Sequence, residues 1–401
     1  MTGQAGEVLV IACPGQGAQT PGFLRPWLEV PGFEARLRWL SAVADIDLVS
    51  HGTESDAETI RDTAVAQPLI VASGLVALLA VFPHPSDAFN QVAAGAGHSV
   101  GEITAAAGAG VLSAEQAMVF VRERGRAMAA ASAVTPTGMT AVVGGDADEV
   151  SAALARHGLT AANVNSADQV VAAGTLEQLA ALKDDPPARA RLVPLQVAGA
   201  FHTEHMAPAV SVLDGYARAM TTHDPRTRLL SNADGTVVHD GRDVLRRLVN
   251  QVSNPVRWDL CMDAMRDLGV TGVIEIPPAG TLTGLVKRNL PDVEALALKT
   301  PDDLDAARDM VARHARESGL SQNPTWRLVV APAKGTVAVT TLDVGATVTR
   351  GDTVATVVTL RERYDVVAPH GGRVVEWLVE DGDPVAPGQP IVRLHPEESR
   401  A

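Results

Sequence analysis

The run Gly97-His98-Ser99-Val100-Gly101-Glu102 places a serine between two glycines at the spacing of a nucleophile elbow. A serine hydroxyl attacks a carbonyl only when a neighbouring imidazole takes its proton. Gly199-Ala200-Phe201-His202-Thr203-Glu204-His205-Met206 offers a histidine further down the chain. Apolar residues before the elbow and the Ala-rich run Ile103–Ala109 after it predict a strand, a sharp turn and a helix, the setting that lifts a serine clear of a sheet. In a chain with 35 glycines this pattern alone selects no reaction, so its neighbours must decide. His98 and His205 read as packed or hydrogen-bonding neighbours, and Cys13 as a small buried hydrophobe.

Other segments follow in a fixed order. Pro14-Gly15-Gln16-Gly17-Ala18-Gln19 comes directly after the first apolar strand, and Val65-Ala66-Gln67-Pro68 follows. Asn254-Pro255-Val256-Arg257-Trp258, Leu282-Thr283-Gly284-Leu285 and Leu298-Lys299-Thr300-Pro301 complete the set. With the elbow and the histidine segment, these resemble the malonyl-CoA:acyl-carrier-protein transacylases, the actinobacterial type in particular, over residues 8–312. The resemblance implies an α/β-hydrolase-like core with an inserted ferredoxin-like subdomain. It implies Ser99 as nucleophile and His202 as base, the imidazole being oriented by the backbone carbonyl of Gln251. The oxyanion hole would be the backbone N–H groups of Gln16 and Val100. Arg124 would hold the free carboxylate of the acyl group, a role that suits a guanidinium fork. Gln67 and Asn163 match positions further out on the substrate side. Malonyl-CoA would be the donor and acyl carrier protein the acceptor, with Ala200-Phe201-His202 resembling the malonyl-selective pattern. Pro277-Pro278-Ala279-Gly280 departs from the family's usual glycine-rich turn. Arg122, Arg126, Lys287 and Arg288 read either as a basic rim for an acidic carrier protein or as an ordinary solvated helix face. A serine hydrolase and a non-enzymatic scaffold are the competing readings. The first finds no acidic partner for the histidine, and the second needs a dead catalytic set.

Apolar runs near 7–12, 92–97 and 272–277, alternating with Ala-rich helical stretches, predict an α/β layer architecture. Within it, Met139–Val143, Asp146–His157, Ala161–Asn165, Val170–Ala173, a helix opened by the Thr175/Gln178 capping box, and Arg191–Val197 read as β-α-β-β-α-β. That places the core at 1–133 and 198–316, and the ferredoxin-like insert at 134–197.

Residues 317–325 are polar and broken by Gly and Pro, which predicts a linker. Beyond it, Ala331-Pro332-Ala333-Lys334-Gly335-Thr336-Val337 returns 37 residues later as Ala368-Pro369-His370-Gly371-Gly372-Arg373-Val374. Two such halves predict an all-β barrel-sandwich at 326–397, similar to biotinyl/lipoyl attachment domains. In that resemblance Arg361 stands where those domains carry the attachment lysine, and a guanidinium is not acylated as an amine is. Neither biotin nor lipoate is therefore expected.

Asp and Glu exceed Lys and Arg by 47 to 33, for a net charge of −14, and only 3% of residues are aromatic. Both features argue against a nucleic-acid binder. Two cysteines cannot form a disulfide framework or a four-thiolate zinc site. The longest apolar run, Leu69–Phe82, falls short of a bilayer span and reads as a buried helix. The expectation is a cytoplasmic, monomeric enzyme without a metal.

Overall fold

The computed structural model describes residues 8–83, 88, 91–315, 327–340, 342–359, 361–369 and 371–396. The chain divides into two compact units, Met1–Glu317 and Ser318–Ala401. The segment read as a linker, 317–325, lies outside the described residues.

The first unit is built on β1 (Leu9–Cys13), whose five residues are all buried. A strand covered on both faces needs no polar alternation, which is why Leu-Val-Ile-Ala-Cys reads as one apolar run. Leu9, Ile11 and Cys13 pack into one core and Val10 and Ala12 into another, so the period of two survives as two separate hydrophobic layers. β1 lies between β2 (Ala94–Gly97) and β10 (Gly272–Glu275), parallel to both. β7 (Arg228–Leu230) and β11 (Glu294–Ala297) extend the parallel sheet on either side. The antiparallel β8 (Val237–Val238) closes one edge, giving the order β11-β10-β1-β2-β7-β8.

Helices cover both faces. Thr63–Val81, started by the Asp62 side chain, packs against Ala114–Ser132, started by a Ser113/Gln116 capping box. Thr63–Val81 is long and apolar enough to cross a membrane, yet most of it is buried in the core, as expected of the Leu69–Phe82 run. On the other face, Trp258–Asp267 and Thr281–Asn289 cover Val10, Ala12 and Val273.

The insert forms a second sheet from β3 (Thr137–Gly144), β4 (Thr160–Ser166), β5 (Gln169–Thr175) and β6 (Ala190–Pro194), with helices Ala147–Arg156 and Leu176–Asp184. The order β6-β3-β5-β4 with antiparallel neighbours is the ferredoxin-like arrangement. Two details differ from the sequence reading. The last strand stops at Pro194 rather than Val197. A fifth strand, β9 (Val256–Arg257), joins parallel to β4. Two residues carry no periodic signal, so nothing in the sequence could announce it.

The second unit is two four-stranded antiparallel sheets. One has the order β12-β19-β17-β14 (Arg327–Val330, Pro390–Pro396, Gly372–Trp377, Thr347–Val348). The other has the order β16-β15-β13-β18 (Arg363–Val367, Thr353–Val358, Gly335–Val339, Pro384–Val385). The sequence repeat is a structural repeat. Gly345 and Gly382 turn at φ 93° and 91°, and Gly351 and Gly388 at 95° and 80°. A positive φ of this kind is costly for any residue with a Cβ. The halves exchange strands, β13 pairing with β18 and β14 with β17 across the repeat.

β2 is Ala-Gly-Ala-Gly because the helix Gly101–Gly108 turns back directly against it. A Cβ on Gly97 would stand 2.1 Å from the Gly101 carbonyl carbon, and one on Gly101 would stand 2.1 Å from the Cys13 oxygen. Both neighbours are backbone and cannot move aside. Gly101→Ala should therefore cost roughly 3 kcal/mol or more, the top of the range for overpacking. Gly284→Ala, which meets nothing within 4 Å, should be neutral or stabilising. Urea unfolding of the two variants checks this, and equal midpoints would refute the close-approach argument.

Candidate active site

Ser99 occupies the turn between β2 and the helix Gly101–Gly108 with φ 53°, a left-handed conformation that a residue with a side chain adopts only under constraint. His202 also has a positive φ, 61°. The two strained turns bring His202 Nε2 to 2.8 Å from Ser99 Oγ. His202 Nδ1 lies 2.8 Å from the backbone oxygen of Gln251, the last residue of the helix Gly241–Gln251. Helix ends leave carbonyls without intrahelical partners, and this one is used by the imidazole. A carbonyl can only accept, so Nδ1 carries the proton and Nε2 is left to accept the serine's. Burial, reinforced by the nearby Arg124 charge, holds the His202 pKa down to about 3. The ring is a neutral base at pH 7.

Arg124 projects from the helix Ala114–Ser132 and is only 1% exposed. Its Nη1 donates to Gln67 Oε1 at 2.7 Å, and its Nη2 donates to Gln251 Oε1 at 2.8 Å and to Ser99 Oγ at 3.3 Å. All three acceptors are neutral. Burial lowers its pKa to about 10, which leaves it cationic at pH 7. A buried guanidinium held by neutral amides beside a nucleophile is a site for an incoming carboxylate.

Asn232 lies beneath the elbow and is fully buried. Its Oδ1 accepts the Ser99 N–H at 2.8 Å, and its Nδ2 donates to the Gly97 oxygen at 2.7 Å. The Asn232 N–H in turn donates to Glu102 Oε1 at 2.6 Å. Gln251 Nε2 donates to the Ser99 oxygen at 3.2 Å and to Glu102 Oε2. Burial pushes the Glu102 pKa up to about 8.

Gln16 sits in the loop after β1, with its side-chain amide anchored on the Arg61 carbonyl at 3.1 Å. A Cβ on the preceding Gly15 would stand 2.9 Å from the His98 oxygen, so this loop lies directly on the elbow. Val100 begins the elbow helix as its N-cap. Gln67 is buried, and it holds Arg124. Asn163 makes no hydrogen bond to Ser99, His202 or Arg124, and its side-chain oxygen is buried without a partner. Asn165, two residues on, reaches the elbow instead, with Oδ1 at 2.9 Å from His98 Nε2. The sequence reading missed Asn165, Asn232 and the part Glu102 plays. His98 is also against Trp258, with ring centroids 5.8 Å apart. Of the basic residues, Arg122 pairs with Glu123 at 2.6 Å, Arg126 with Asp45 at 3.4 Å, and Arg288 donates to Gln169 at 3.0 Å, while Lys287 is exposed. Cys13 and Cys261 are free and buried, and burial raises both thiols above their usual range. Among the described residues no His, Cys, Asp and Glu cluster could hold a metal.

The depressed His202 pKa carries a stability consequence. Unfolded, this imidazole titrates near its ordinary 6.5, and folded near 3. Between those values the unfolded chain binds a proton that the folded site refuses. The stabilisation is complete above pH 6.5 and falls as the pH drops, by ~1.4 kcal/mol per unit. His202→Gln should therefore lose about 2 kcal/mol less than the native chain when urea unfolding at pH 7 is compared with pH 5. Equal losses would mean that His202 is not held neutral.

Known proteins resemble this chain in sequence and fold. The family described as acyl transferase domain matches residues 10–314, and the one described as biotin-requiring enzyme matches residues 328–394. The malonyl CoA-acyl carrier protein transacylase of Mycobacterium tuberculosis is 50% identical over 306 residues, covering 74% of this chain and 98% of that protein. The Bacillus subtilis protein of the same name is 31% identical, over 73% of this chain and 94% of that one. A crystal structure of the Mycobacterium tuberculosis enzyme superposes with a TM-score of 0.71 at 48% identity, covering 75% of this chain and 99% of the other. A type II polyketide-synthase carrier protein in complex with its malonyl-transacylase supplies another match, with a TM-score of 0.69 at 28% identity over 75% of this chain and 99% of that one. The chain belongs to the acyl transferase domain family, among the malonyl CoA-acyl carrier protein transacylases.

Proposed function

We propose that this chain moves a malonyl group from malonyl-CoA to the phosphopantetheine thiol of acyl carrier protein by way of an ester on Ser99. The observation that carries the reading is the buried Arg124, held by neutral groups 3.3 Å from the nucleophile oxygen. A cation kept out of water with no carboxylate bonded to it directly, Glu102 lying behind the Gln251 amide, is stabilised when a ligand supplies the charge.

Each step falls to a named group of the site. Ser99 Oγ attacks the thioester carbonyl while its proton passes to His202 Nε2, 2.8 Å away. The tetrahedral oxyanion is received by the backbone N–H groups of Gln16 and Val100. Removing one such donor typically costs on the order of 10²–10³ in rate. The imidazolium, stabilised through Nδ1 by the Gln251 carbonyl, returns the proton to the departing CoA sulfur. The carrier thiol then gives its proton to His202 and attacks the ester, and Ser99 leaves with that proton. Throughout, Arg124 holds the far carboxylate of the malonyl group, and Gln67 fixes Arg124. A cytoplasmic location belongs to the same reading and is supported by the two free, buried cysteines.

The C-terminal unit, in our reading, carries neither biotin nor lipoate. Its hairpin between β15 and β16 presents exposed Arg361, whose N–H donates to Thr359 Oγ1 at 3.2 Å. That guanidinium does not fit the attachment chemistry of either group. The unit's only lysine, Lys334, lies before β13 in the other half of the repeat. We assign it a docking or stabilising role.

Two experiments test these readings. Intact mass after mixing with malonyl-CoA should show a malonyl adduct on the native chain and none on Ser99→Ala. Arg124→Ala should lose about ten- to a hundredfold in malonyl ester formation while acetyl ester formation from acetyl-CoA holds or rises. A malonyl adduct on Ser99→Ala, or parallel loss with both donors in Arg124→Ala, would overturn the assignment. For the second unit, streptavidin and anti-lipoate blots of full-length protein from its native host should both be blank. The chain cut after residue 316 should still load a free carrier protein. A labelled band, or a folded but inactive truncation, would refute that reading.

A further inference from the structure

Glu102 is a buried carboxyl that the transfer steps do not use. It stands in the first turn of the elbow helix, with both oxygens engaged by donors from other elements. Oε1 takes the backbone N–H of Asn232, and Oε2 takes an N–H of Gln251 Nε2. The orientation of the Gln251 amide is fixed independently, because its Oε1 accepts from Arg124 Nη2 at 2.8 Å. Its nitrogen must then face acceptors, and those are Glu102 Oε2 and the Ser99 oxygen.

Each residue that Glu102 holds touches the reacting groups. Asn232 receives the Ser99 N–H and binds the Gly97 oxygen, so it clamps the backbone on both sides of the strained turn. Gln251 supplies through its backbone the carbonyl that fixes the His202 ring. Nucleophile and base come from segments about a hundred residues apart, and beside the Arg124 bridge their supports meet at this carboxyl, which accepts from the Asn232 backbone and from the Gln251 amide.

We propose that Glu102 is a positioning residue for acyl transfer, acting through Asn232 on the Ser99 turn and through Gln251 on the His202 ring. It touches neither substrate nor the reacting atoms. Losing it should let the turn and the imidazole drift from attack geometry, which lowers the rate of ester formation whatever the acyl group. Arg124 keeps its contact with Gln67, which does not pass through Glu102. The proposal rests on the transacylase reading, and native ester formation on Ser99 tests that reading separately.

The test is rapid-quench formation of the acyl-serine on the full chain, with malonyl-CoA and with acetyl-CoA. The native chain, Glu102→Gln and Asn232→Ala are compared, with thermal unfolding of each. Glu102→Gln keeps the size and an acceptor for the Asn232 N–H but sets a second amide nitrogen against Gln251. Its maximal acylation rate should fall about ten- to a hundredfold with both donors, with the half-saturating malonyl-CoA concentration within about twofold of native. Asn232→Ala keeps the backbone N–H that Glu102 Oε1 accepts but removes the side-chain clamp on the Ser99 N–H and the Gly97 oxygen through which that contact acts, and it should show the same pattern. A native maximal rate in folded Glu102→Gln would overturn the proposal. So would a loss confined to malonyl-CoA, or one expressed mainly in half-saturation. If Glu102→Gln does not fold, the Asn232→Ala split between rate and half-saturation decides on the same terms.

Discussion

The hydrogen bond from His202 Nδ1 to the Gln251 carbonyl is the constraint on which the catalytic arrangement turns. It selects the tautomer, orients the ring toward Ser99 Oγ and does so without a negative charge. A carboxylate in that position would raise the imidazole's proton affinity, whereas a carbonyl leaves burial and Arg124 free to hold it low. That choice also leaves the Arg124 guanidinium without a directly bonded carboxylate. An acidic partner for the histidine would stand close to Arg124 and compete for it, and the guanidinium instead meets the neutral side-chain oxygens of Gln67 and Gln251.

The elbow was legible because its constraint is local. Glycines at positions 97 and 101 are demanded by backbone contacts of 2.1 Å, and no other residue satisfies them. The order of the core elements and the β-α-β-β-α-β insert were legible for a similar reason, since buried strands and capped helices write their period into the sequence. The supports of the site left no comparable trace. Asn232 lies in Ser231-Asn232-Ala233-Asp234-Gly235, which reads as an ordinary turn, and a glutamate in the first turn of a helix draws no notice. Asn163 and Asn165 could not be told apart from sequence. β4 carries irregularities between Ala161 and Asn163 and between Val164 and Ser166, and each breaks the alternation that would say which asparagine faces the elbow.

The second unit shows how a repeat becomes an architecture. Because β13 pairs with β18 and β14 with β17, each half completes its sheet with a strand of the other. The buried positions Val337, Val354, Val357, Val374 and Ile391 come from both halves and form one hydrophobic core. The hairpin at Thr359–Glu362 therefore connects two halves already held together by ladders and core. Its sequence is under little structural demand, which is consistent with a tip that can present Arg361 as readily as a lysine.

The two-residue strand β9 has a mechanical meaning for the cleft. It begins five residues after Gln251, pairs with β4 through Asn163↔Val256 and Val164↔Arg257, and leads into Trp258, whose ring lies against His98. The insert is thus tied by main-chain hydrogen bonds to the same stretch of chain that sets the imidazole. Any displacement of the insert must either break those pairs or pull on the chain that carries the carbonyl bonded to His202. The position of the insert and the orientation of the imidazole are thus connected through four intervening residues of backbone.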